Sequence, residues 1–582
     1  MNLKIFWNQL SKRRHKQLYL LLMLMILASL VEVVSIGAIL PFLGVLTSPE
    51  QVFQYPLLQP IIQAIGIPNS AHLLFPVTIL FIAAILIAGS VRLLLLYVIT
   101  KLSYAIGADL SINIYRKTLY QEYSVHILRN SSEVINGITL KTNMVINGIV
   151  RPSLVFISSV IFIIAIFLAL FAIEPKVASF ATIGLGFIYL AVIWFTRQKV
   201  KENSSCIAKQ STQIVKALQE GLGGIRDVLI GNTQKFYCKL YQNADLPFRH
   251  ASASNAFVNG APRYVIESFG MVLIVILAYS MSLREGGLAT VVPILGGLAL
   301  GAQRLLPALQ QAYASYNRMK GSHSSFEDIL NLLTQPLPDY LDQPPLDPIT
   351  FKKEIKINNL SFCYTAQGLP VIKNINLTFP KGSKIGFIGE TGSGKSTLID
   401  IIMCLLSPTE GELLVDGQKI TVKNKILWQA NIAHVPQSIY LTDGTIEENI
   451  AFGVSKDKIN HKQVKKAAQQ AQIAQLIEGW QEGYQTPVGE RGVKLSGGQR
   501  QRIGIARAFY QQASVLIFDE ATSALDLKTE LAIMEAIEDL KDDLTILIIA
   551  HRVSTLEGCD MIVKLDKNNI VTTGSYQEMI NI

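Results

Sequence analysis

The stretch Gly389 to Thr397 constrains the fold of this chain more than any other. It reads GETGSGKST, after the apolar run Ile385–Ile388 and before a helix predicted to begin near Ser396. A strand, a glycine-rich turn and a helix N-terminus in this order direct backbone N–H groups and the helix dipole at a phosphate. Lys395 then reaches the β- and γ-phosphates, and the Ser396 hydroxyl can ligate Mg²⁺. The motif predicts a nucleoside triphosphate site formed by Gly389, Glu390, Thr391, Gly392, Ser393, Gly394, Lys395, Ser396 and Thr397.

The composition of the chain indicates a membrane protein. Of its 582 residues, 50% are hydrophobic and only 16% are charged, which is unusually apolar for a soluble chain. The net charge of +9 comes from basic residues spread over helix ends and loops. Membrane topology explains this pattern more simply than nucleic-acid binding. The five cysteines form no CxxC pair, so neither a disulfide framework nor a cysteine metal site is predicted.

Six apolar stretches are long enough to cross a bilayer as helices. The first follows the basic run Lys12–Lys16 and is too long for a signal-peptide core, so we expect a cytoplasmic N-terminus. Between Thr47 and Pro76 there is no Lys or Arg, as in an external loop, and PLLQPIIQAIGI there predicts a helix on the membrane surface. The predicted spans are Leu18–Leu46, Val77–Ile99, Ser153–Ile173, Ala178–Phe195, Val265–Leu283 and Val291–Leu309.

The connections after the second and fourth spans are roughly 50 to 70 residues long, far more than a membrane turn needs. Their helical patterning predicts helices that extend from the bilayer into the cytoplasm, joined by transverse helices near Tyr120–Arg129 and Arg226–Asn243. An independent soluble insertion is the alternative. It is less favoured because so few residues with so few β-type runs do not make a compact domain.

A proline-rich stretch, Thr334–Thr350, predicts a linker. Beyond it, short strands alternate with amphipathic helices, the pattern of an α/β domain on a mainly parallel sheet. We therefore expect an α-helical six-span transmembrane domain at 1–333, a linker at 334–350 and an α/β nucleotide-binding domain at 351–582.

Two carboxylates follow a predicted buried strand in the second domain. In SVLIFDEATS, the run Val515–Phe518 delivers Asp519 to Mg²⁺ and Glu520 to the water that attacks the γ-phosphate. Tyr364, in SFCY upstream of the glycine-rich turn, is a candidate to stack on adenine. The same alternation also predicts a sheet-core aromatic at that position, so both interpretations stay open.

The stretch Leu495–Ala508, LSGGQRQRIGIARA, resembles the signature of the ABC-transporter ATPases. The segment TPVGERG, Thr486–Gly492, is similar to the one that marks exporters in that family. With six spans before one ATPase, the whole chain resembles a half-size ABC exporter. The resemblance implies ATP and Mg²⁺ as cofactors and a homodimer with two ATP molecules. Each ATP would lie between the Lys395 motif of one subunit and the Ser496 signature of the other, and the transverse helices would dock on the ATPases.

The same resemblance implies roles for further residues. In the signature, Ser496, Gly497 and Gly498 can present an oxygen and backbone donors to phosphate, with Gln499 beside them. Gln437 in HVPQ would sense Mg²⁺ or water, and His551 after LTILIIA would contact the γ-phosphate. The predicted catalytic residues are Glu520, His551 and Gln437, and the predicted Mg²⁺ ligands are Ser396, Gln437 and Asp519.

Three arginines in the predicted spans, Arg92, Arg263 and Arg304, are candidate substrate contacts because ionisable groups are costly there. Their forked donors pair bidentately with oxyanions, which suits phosphate or pyrophosphate. Snorkelling to the interface, or pairing with Glu32 or Glu267, is the alternative.

The arginine stretches GSVRLLLLY, APRYVIES and RLLP, with VEVVSIGAILPF and the external helix, resemble PglK-type flippases of lipid-linked oligosaccharides. This resemblance implies transport of a polyprenyl-pyrophosphate-linked oligosaccharide or similar anionic glycolipid across the inner (cytoplasmic) membrane, with the N-terminus and the ATPase in the cytoplasm. The arginines would receive the pyrophosphate and the external helix the polyprenyl tail. A lipid A or drug exporter is the alternative. A peptide exporter is less favoured because no peptidase domain precedes KRRHK, and an ATP-gated channel or a regulatory subunit is a different class again.

Overall fold

A computed structural model describes the chain at residues 3–47, 49–53, 70–173, 175–282, 287–338, 341, 347–365, 368–521, 526–538, 543–550, 556–566 and 571–580. Residue contacts divide it into two compact units. The first comprises Met1–Gln121 and Arg129–Leu337, and the second Glu122–Leu128 and Pro338–Ile582. The main division, after Leu337, falls within the stretch predicted as a linker.

The first unit is helical throughout its described elements, as its long apolar runs without strand-type alternation require. Its helices are α1 (Leu3–Asn8), α2 (Lys12–Gly37), α3 (Ile39–Thr47), α4 (Pro49–Phe53) and α5 (Leu74–Leu119), and then, after α6 (Tyr123–Leu128) of the second unit, α7 (Ser131–Asn136), α8 (Thr142–Val145), α9 (Arg151–Ile173), α10 (Pro175–Gly223), α11 (Ile225–Ile230), α12 (Gln234–Ser282), α13 (Gly287–Gly321) and α14 (His323–Leu333). A 3₁₀ turn covers Ser70–Leu73, and π-helical turns flank α8 at Gly137–Lys141 and Ile146–Val150.

Three helical stretches in the described part of the chain are long and apolar enough to cross a membrane: Lys12–Thr47, Leu74–Leu119 and Ser131–Ala172. They contain the first two predicted spans and the third as far as Ala172. The fourth and sixth predicted spans fall within α10 and α13, and the fifth falls within α12 except for Leu283, which lies outside the described residues. The predicted surface helix at 56–67 lies outside the described residues.

Several helices continue well beyond the predicted spans. α5 extends to Leu119, and α10 extends to Gly223. The first predicted transverse helix corresponds to α6. The second is shorter than predicted, because α11 ends at Ile230 and α12 already begins at Gln234. Gly231 caps α11 and Asn232 has φ 51°, a left-handed conformation that ends a helix.

Close helix approach in the first unit depends on glycines. The core there brings together residues of α2, α5, α9 and α14, including the fully buried Phe326 and Ile329. A Cβ added at Gly107 of α5 would lie 2.1 Å from the Ile146 side chain, and Ile146 is only 5% exposed. Such a contact is far inside van der Waals distance, so α5 can approach the π-helical turn only where it carries no side chain.

The second unit has the predicted mixture of strands and helices. Its strands are β1 (Glu354–Phe362), β2 (Ile372–Pro380), β3 (Lys384–Ile388), β4 (Glu410–Val415), β5 (Gln418–Lys419), β6 (Ile432–Val435), β7 (Val515–Asp519), β8 (Thr545–Ile549), β9 (Met561–Leu565) and β10 (Val571–Gly574). Its other helices are α15 (Lys395–Ile402), α16 (Lys425–Gln429), α17 (Ile446–Ile450), α18 (His461–Gln470), α19 (Ala474–Glu478), α20 (Gly497–Gln511), α21 (Leu527–Glu538) and α22 (Tyr576–Ile580).

Two sheets organise these strands. One is antiparallel, with the order β2-β1-β4-β5, and the other has the order β10-β9-β3-β8-β7-β6. In the second sheet every pair except β10–β9 is parallel. Because carboxyl ends of parallel strands share one edge, the residues that follow β3, β7 and β6 lie along the same edge.

A first prediction concerns the glycine contact between α5 and Ile146. Gly107→Ala should destabilise the first unit by about 1–3 kcal/mol, because overpacking a tight contact forces side chains or backbone to shift. The midpoint of thermal unfolding in detergent measures this. Gly89→Ala in the same helix is the matched control, since no described atom lies within 4 Å of a Cβ built there. Equal midpoints for the two variants would contradict the packing assigned to Gly107.

Candidate nucleotide site

The glycine-rich turn forms a loop that contains a buried hydroxyl without a partner among the described residues. Gly389 has φ +149° and Gly394 φ +94°, and a Cβ at Gly389 would lie 2.2 Å from the Leu565 carbonyl oxygen. Ser393 is 4% exposed, and its hydroxyl makes no hydrogen bond within the described residues. Gly394 caps α15 without any side-chain hydrogen bond. A buried hydroxyl without a partner, at a helix N-terminus that no side chain caps, fits a phosphate group.

Lys395 lies across this loop. Its Nζ donates to the carbonyl oxygens of Gly389 (2.7 Å) and Glu390 (2.9 Å), and the residue is 7% exposed. Burial lowers the pKa of Lys395, and the nearby charges of Glu520 and Asp519 oppose that shift. The ammonium group is therefore bonded to the loop and near enough to both predicted carboxylates to feel their charge, where a triphosphate would add negative charge.

The strand β7 ends at Asp519, and Glu520 follows it in a strained conformation. Glu520 has φ 51°, and its backbone N–H donates to the Ile549 carbonyl oxygen at 3.1 Å. Gln437, which follows the neighbouring strand β6, donates its amide N–H to Glu520 Oε2 at 2.5 Å. A non-glycine residue held in this region is typical of functional sites. The structure thus brings together two predicted residues that are far apart in the sequence.

Asp400 also carries a perturbed carboxyl group in this region. It lies on α15, and burial, followed by the charge of Asp519, raises its pKa to about 6. Asp400 was not predicted as a site residue, because an acidic residue on a helix is ordinarily solvated.

Tyr364 is not a residue of the sheet core. β1 ends at Phe362, which is 6% exposed, whereas Tyr364 is 43% exposed. Its hydroxyl shares a hydrogen bond of 3.1 Å with the Thr397 hydroxyl, and its ring meets Phe362 edge-on. One aromatic face beside the loop is thus accessible, which suits a stacking base.

The signature segment begins a helix. Ser496 caps α20: its Oγ accepts from the Gln499 N–H (3.2 Å), and Gln499 Oε1 accepts from the Ser496 N–H (2.8 Å). The Ser496 hydroxyl hydrogen is not used in this capping box. Gly497 lines a cavity of about 530 Å³ together with Gln437. Among the described residues that line this cavity, none belongs to the Lys395 loop.

Three further residues of α20 lie beside the chain that follows Gln437, and none of them was predicted as a site residue. Arg507 donates to the carbonyl oxygens of Asn449 (3.0 Å) and Tyr440 (3.1 Å). Gly504 faces Ile439 so closely that a Cβ would lie 2.5 Å from it, and Arg500 lines the cavity with Tyr440. Arg500, Gly504 and Arg507 are four and three positions apart, so this helical spacing was the signal that could have identified the face.

The candidate substrate arginines are all paired with carboxylates. Arg92 Nη2 lies 3.4 Å, and Arg304 Nε 3.2 Å, from the same Glu32 oxygen. All three residues line one cavity of about 660 Å³ in the first unit. Arg263 is not among its lining residues: it is exposed and bonds Glu267 at 2.9 Å. Both pairings that the sequence offered as alternatives are present. The remaining predicted site residue, His551, lies outside the described residues.

Two protein-family models and several known proteins match this chain. The model of the ABC transporter transmembrane region matches residues 18–302, and the ABC transporter model matches residues 372–523. The heterocyst differentiation ATP-binding protein HepA of Nostoc sp. is 31% identical over 566 residues, covering 95% of this chain and 90% of that protein. The ATP-dependent lipid A-core flippase of Photobacterium profundum is 35% identical over 316 residues, 54% of this chain and 53% of that protein, so the chain matches about half of its length.

A solved structure gives the same fold. The structure of a bacterial Atm1-family ABC exporter with ATP bound aligns with a TM-score of 0.77 and 23% identity, over 98% of this chain and 96% of that one. The chain therefore belongs to the ABC transporter family, as a half-size exporter with a helical transmembrane region before an α/β ATPase domain. It binds ATP, and its ATPase drives transport across a membrane. The predicted fold class and ATPase are confirmed, while the resemblance to PglK-type flippases stays a prediction.

A half-buried imidazole lies on the strand that leads to Gln437. His434 is in β6, an edge strand, and its Nε2 has no hydrogen-bond partner among the described residues. Burial lowers the pKa of His434 from 6.5 to about 4. The folded chain therefore keeps this ring neutral at a pH where the unfolded chain protonates it.

A second prediction uses this shift. The stability that the neutral His434 ring contributes is complete above pH 6.5 and is lost as the pH falls towards about 4, since only the unfolded chain gains the proton. His434→Gln cannot titrate, so its unfolding midpoint should fall less steeply than that of the parent between these pH values. His126→Gln, at an exposed histidine, is the control and should follow the parent. Parallel pH profiles for parent and His434→Gln would refute the assignment.

Proposed function

We propose that this ABC exporter moves an anionic glycolipid, specifically a polyprenyl-pyrophosphate-linked oligosaccharide, across the cytoplasmic membrane. The observation that carries this proposal is the cavity where Arg92 and Arg304 converge. Their side chains are 49% and 34% exposed, so both guanidinium groups can reach a ligand in that cavity. Arginine is favoured where two oxyanions must be held together, as in pyrophosphate.

The rest of the cavity suits an amphipathic ligand. Besides the charged cluster, its lining combines aliphatic residues and Phe162 with serine and glutamine side chains, and its apolar part includes Met25, Leu93, Leu96, Ile99 and Phe162. Phe162 also lies under Arg92, with its ring centroid 5.9 Å from the guanidinium carbon. Apolar walls around a few convergent charges are expected of a site for a lipid with an anionic headgroup. Arg263 remains a proposed contact on the resemblance alone.

In the ATPase, we assign roles from the donor set at the sheet edge. The Asp519 carboxylate, the Ser396 hydroxyl and the Gln437 amide oxygen would hold Mg²⁺, which prefers oxygen ligands. When bound, Mg²⁺ would offset negative charge on the β- and γ-phosphates. Glu520 orients the attacking water, and the Gln437 amide, already bonded to Glu520, fixes that carboxylate. The Tyr364 ring stacks on adenine.

The working unit is a homodimer in this proposal. The Ser496 hydroxyl and the first N–H groups of α20 would meet the ATP held by the Lys395 loop of the second copy. His551 would contact the γ-phosphate, as the family resemblance implies. The dimer would lie in the inner membrane, with its ATPases in the cytoplasm.

A second candidate cargo is lipid A. It is favoured by the 35% identity to the protein of Photobacterium profundum that is named an ATP-dependent lipid A-core flippase. Stimulation of the ATPase by a pyrophosphate-linked glycan and by lipid A, in parallel proteoliposome preparations, separates the two candidates.

A third prediction tests the hydrolytic assignment. Glu520→Gln should bind ATP but hydrolyse it at least about a hundredfold more slowly, because the amide cannot accept a proton from the attacking water. Phosphate release and ATP binding are measured on the purified protein. Glu535→Gln, an exposed position on α21, is the matched control and should hydrolyse at the parent rate. Near-normal turnover in Glu520→Gln would remove this residue from the catalytic role.

A fourth prediction tests the cargo. Arg92→Ala and Arg304→Ala should each reduce translocation of a polyprenyl-pyrophosphate-linked glycan several-fold while basal ATP hydrolysis persists, since a charge-assisted bidentate contact is lost. Lysine at these positions should rescue only in part, because an ammonium lacks the fork. Arg263→Ala is measured beside them, and Arg249→Ala, an exposed arginine paired with Asp245, is the control. If both cavity variants transport at the parent rate, the pyrophosphate assignment fails.

A further inference from the structure

Glu32 holds a position in the cavity that the proposed cargo alone does not explain. It lies on α2 and is only 3% exposed. Its Oε1 lies within ion-pair distance of two guanidinium groups, yet it makes no hydrogen bond within the described residues. The carboxylate is thus held by charge without a fixed, aligned bond to either arginine. A pair of this kind exchanges partners more readily than a bidentate salt bridge.

The arginines and the carboxylate of this cluster differ in how far they are exposed. The arginines are partly open, whereas Glu32, which lines the same cavity, is only 3% exposed. A ligand anion in the cavity therefore meets mainly the guanidinium groups, with the Glu32 carboxylate close beside them. Because both nitrogens lie within 3.4 Å of one oxygen, Glu32 also keeps the two guanidinium groups side by side.

From this arrangement we propose that Glu32 is an internal competitor for the cargo anion, a positioning residue that weakens binding and speeds release. In the empty cavity its carboxylate attracts both guanidinium groups. The cluster of three side chains then carries one net positive charge instead of two. A bound phosphate then lies near a buried like charge, which disfavours a long-lived complex. The inference deepens the proposed function and rests on its assignment of this cavity to an anion.

If Glu32 competes with the cargo, Glu32→Gln should change both the half-stimulating cargo concentration and the maximal transport rate. The amide keeps the shape of the side chain and removes its charge. The half-stimulating concentration of the pyrophosphate-linked glycan should fall about fivefold or more, and maximal transport should fall with it, because a cargo held too tightly leaves slowly. If Glu32 only held the site together, Glu32→Gln would instead raise the half-stimulating concentration of the glycan, because two unpaired arginines would disorder the site. Glu32→Asp keeps the charge and should restore both values towards the parent.

A second measurement needs no cargo. Phenylglyoxal modifies arginine side chains, and inorganic pyrophosphate bound to Arg92 and Arg304 should protect them. We expect the pyrophosphate concentration that halves their modification, read by peptide mass spectrometry, to be several-fold lower in Glu32→Gln than in the parent. Glu220→Gln is the matched control, because Glu220 pairs with Lys216 at an exposed site of the same unit. It should leave the halving concentration unchanged.

These measurements distinguish failure of the competitor role from failure of the cargo proposal. If the halving concentration is the same in Glu32→Gln and the parent, or higher in the variant, the competitor role is wrong, whatever the cargo. If it falls as expected but the glycan neither stimulates the ATPase nor is transported, the cargo proposal fails and the competitor role stands. Should Glu32→Gln not fold, Arg92→Gln is compared with the charge-balanced Arg92→Gln/Glu32→Gln pair. The double variant should then protect Arg304 at a lower pyrophosphate concentration, and an equal or higher one overturns the inference.

Discussion

The parallel pairing of β3, β8 and β7 is the constraint on which the ATPase unit depends. Phe387 of β3 is paired with Ile549 of β8, and Ile549 is in turn paired with Asp519 of β7. Three strands from distant parts of the sequence therefore end at one level. The loop after β3 and the two acids at the end of β7 meet there without any element having to bend towards the other. Buried strands with backbone hydrogen bonds on both sides make this arrangement rigid.

Charge in apolar surroundings imposes a comparable constraint on the first unit. A buried ion is tolerated only with a partner, since desolvation is expensive. Lys141, only 5% exposed, is paired with Asp328 at 2.5 Å, and Glu32 has two arginines. In the first pair a fixed contact ties a π-helical turn to α14. In the second, one carboxylate is shared between two cations, which leaves positive charge for a ligand.

The sequence predicted most of the ATPase because its signals are local. A strand, turn and helix in order define the Lys395 loop, and an apolar run that ends in two acids defines β7. The contact between Gln437 and Glu520 depends on strand order, so only the resemblance suggested a common site. Tyr364 had two interpretations because alternation does not say where β1 ends. The second transverse helix was predicted too long because Gly231 and Asn232 were not recognised as its end.

The membrane half was less predictable for a physical reason. Long apolar helices can be predicted from composition. The rotation of each helix about its own axis is set by packing against its neighbours, which no single stretch of sequence encodes. Pairing of Arg92 and Arg304 with Glu32 was therefore one alternative among several. The close contact at Gly107 could not be predicted either, because the sequence around a helical glycine does not show whether another helix packs against it.

The face of α20 formed by Arg500, Gly504 and Arg507 has a consequence for timing. Arg507 donates to the carbonyl oxygen of Tyr440, in the segment after Gln437, and to that of Asn449, in α17, and its guanidinium carbon lies 4.4 Å from the centre of the Phe452 ring. Gly504 leaves no gap between the helix and Ile439. The segment that carries the Gln437 side chain and the helix capped by Ser496 are thus packed directly on each other. In the proposed dimer, a shift of Gln437 towards or away from one ATP would therefore also shift the Ser496 end of α20, which would couple the two ATP sites.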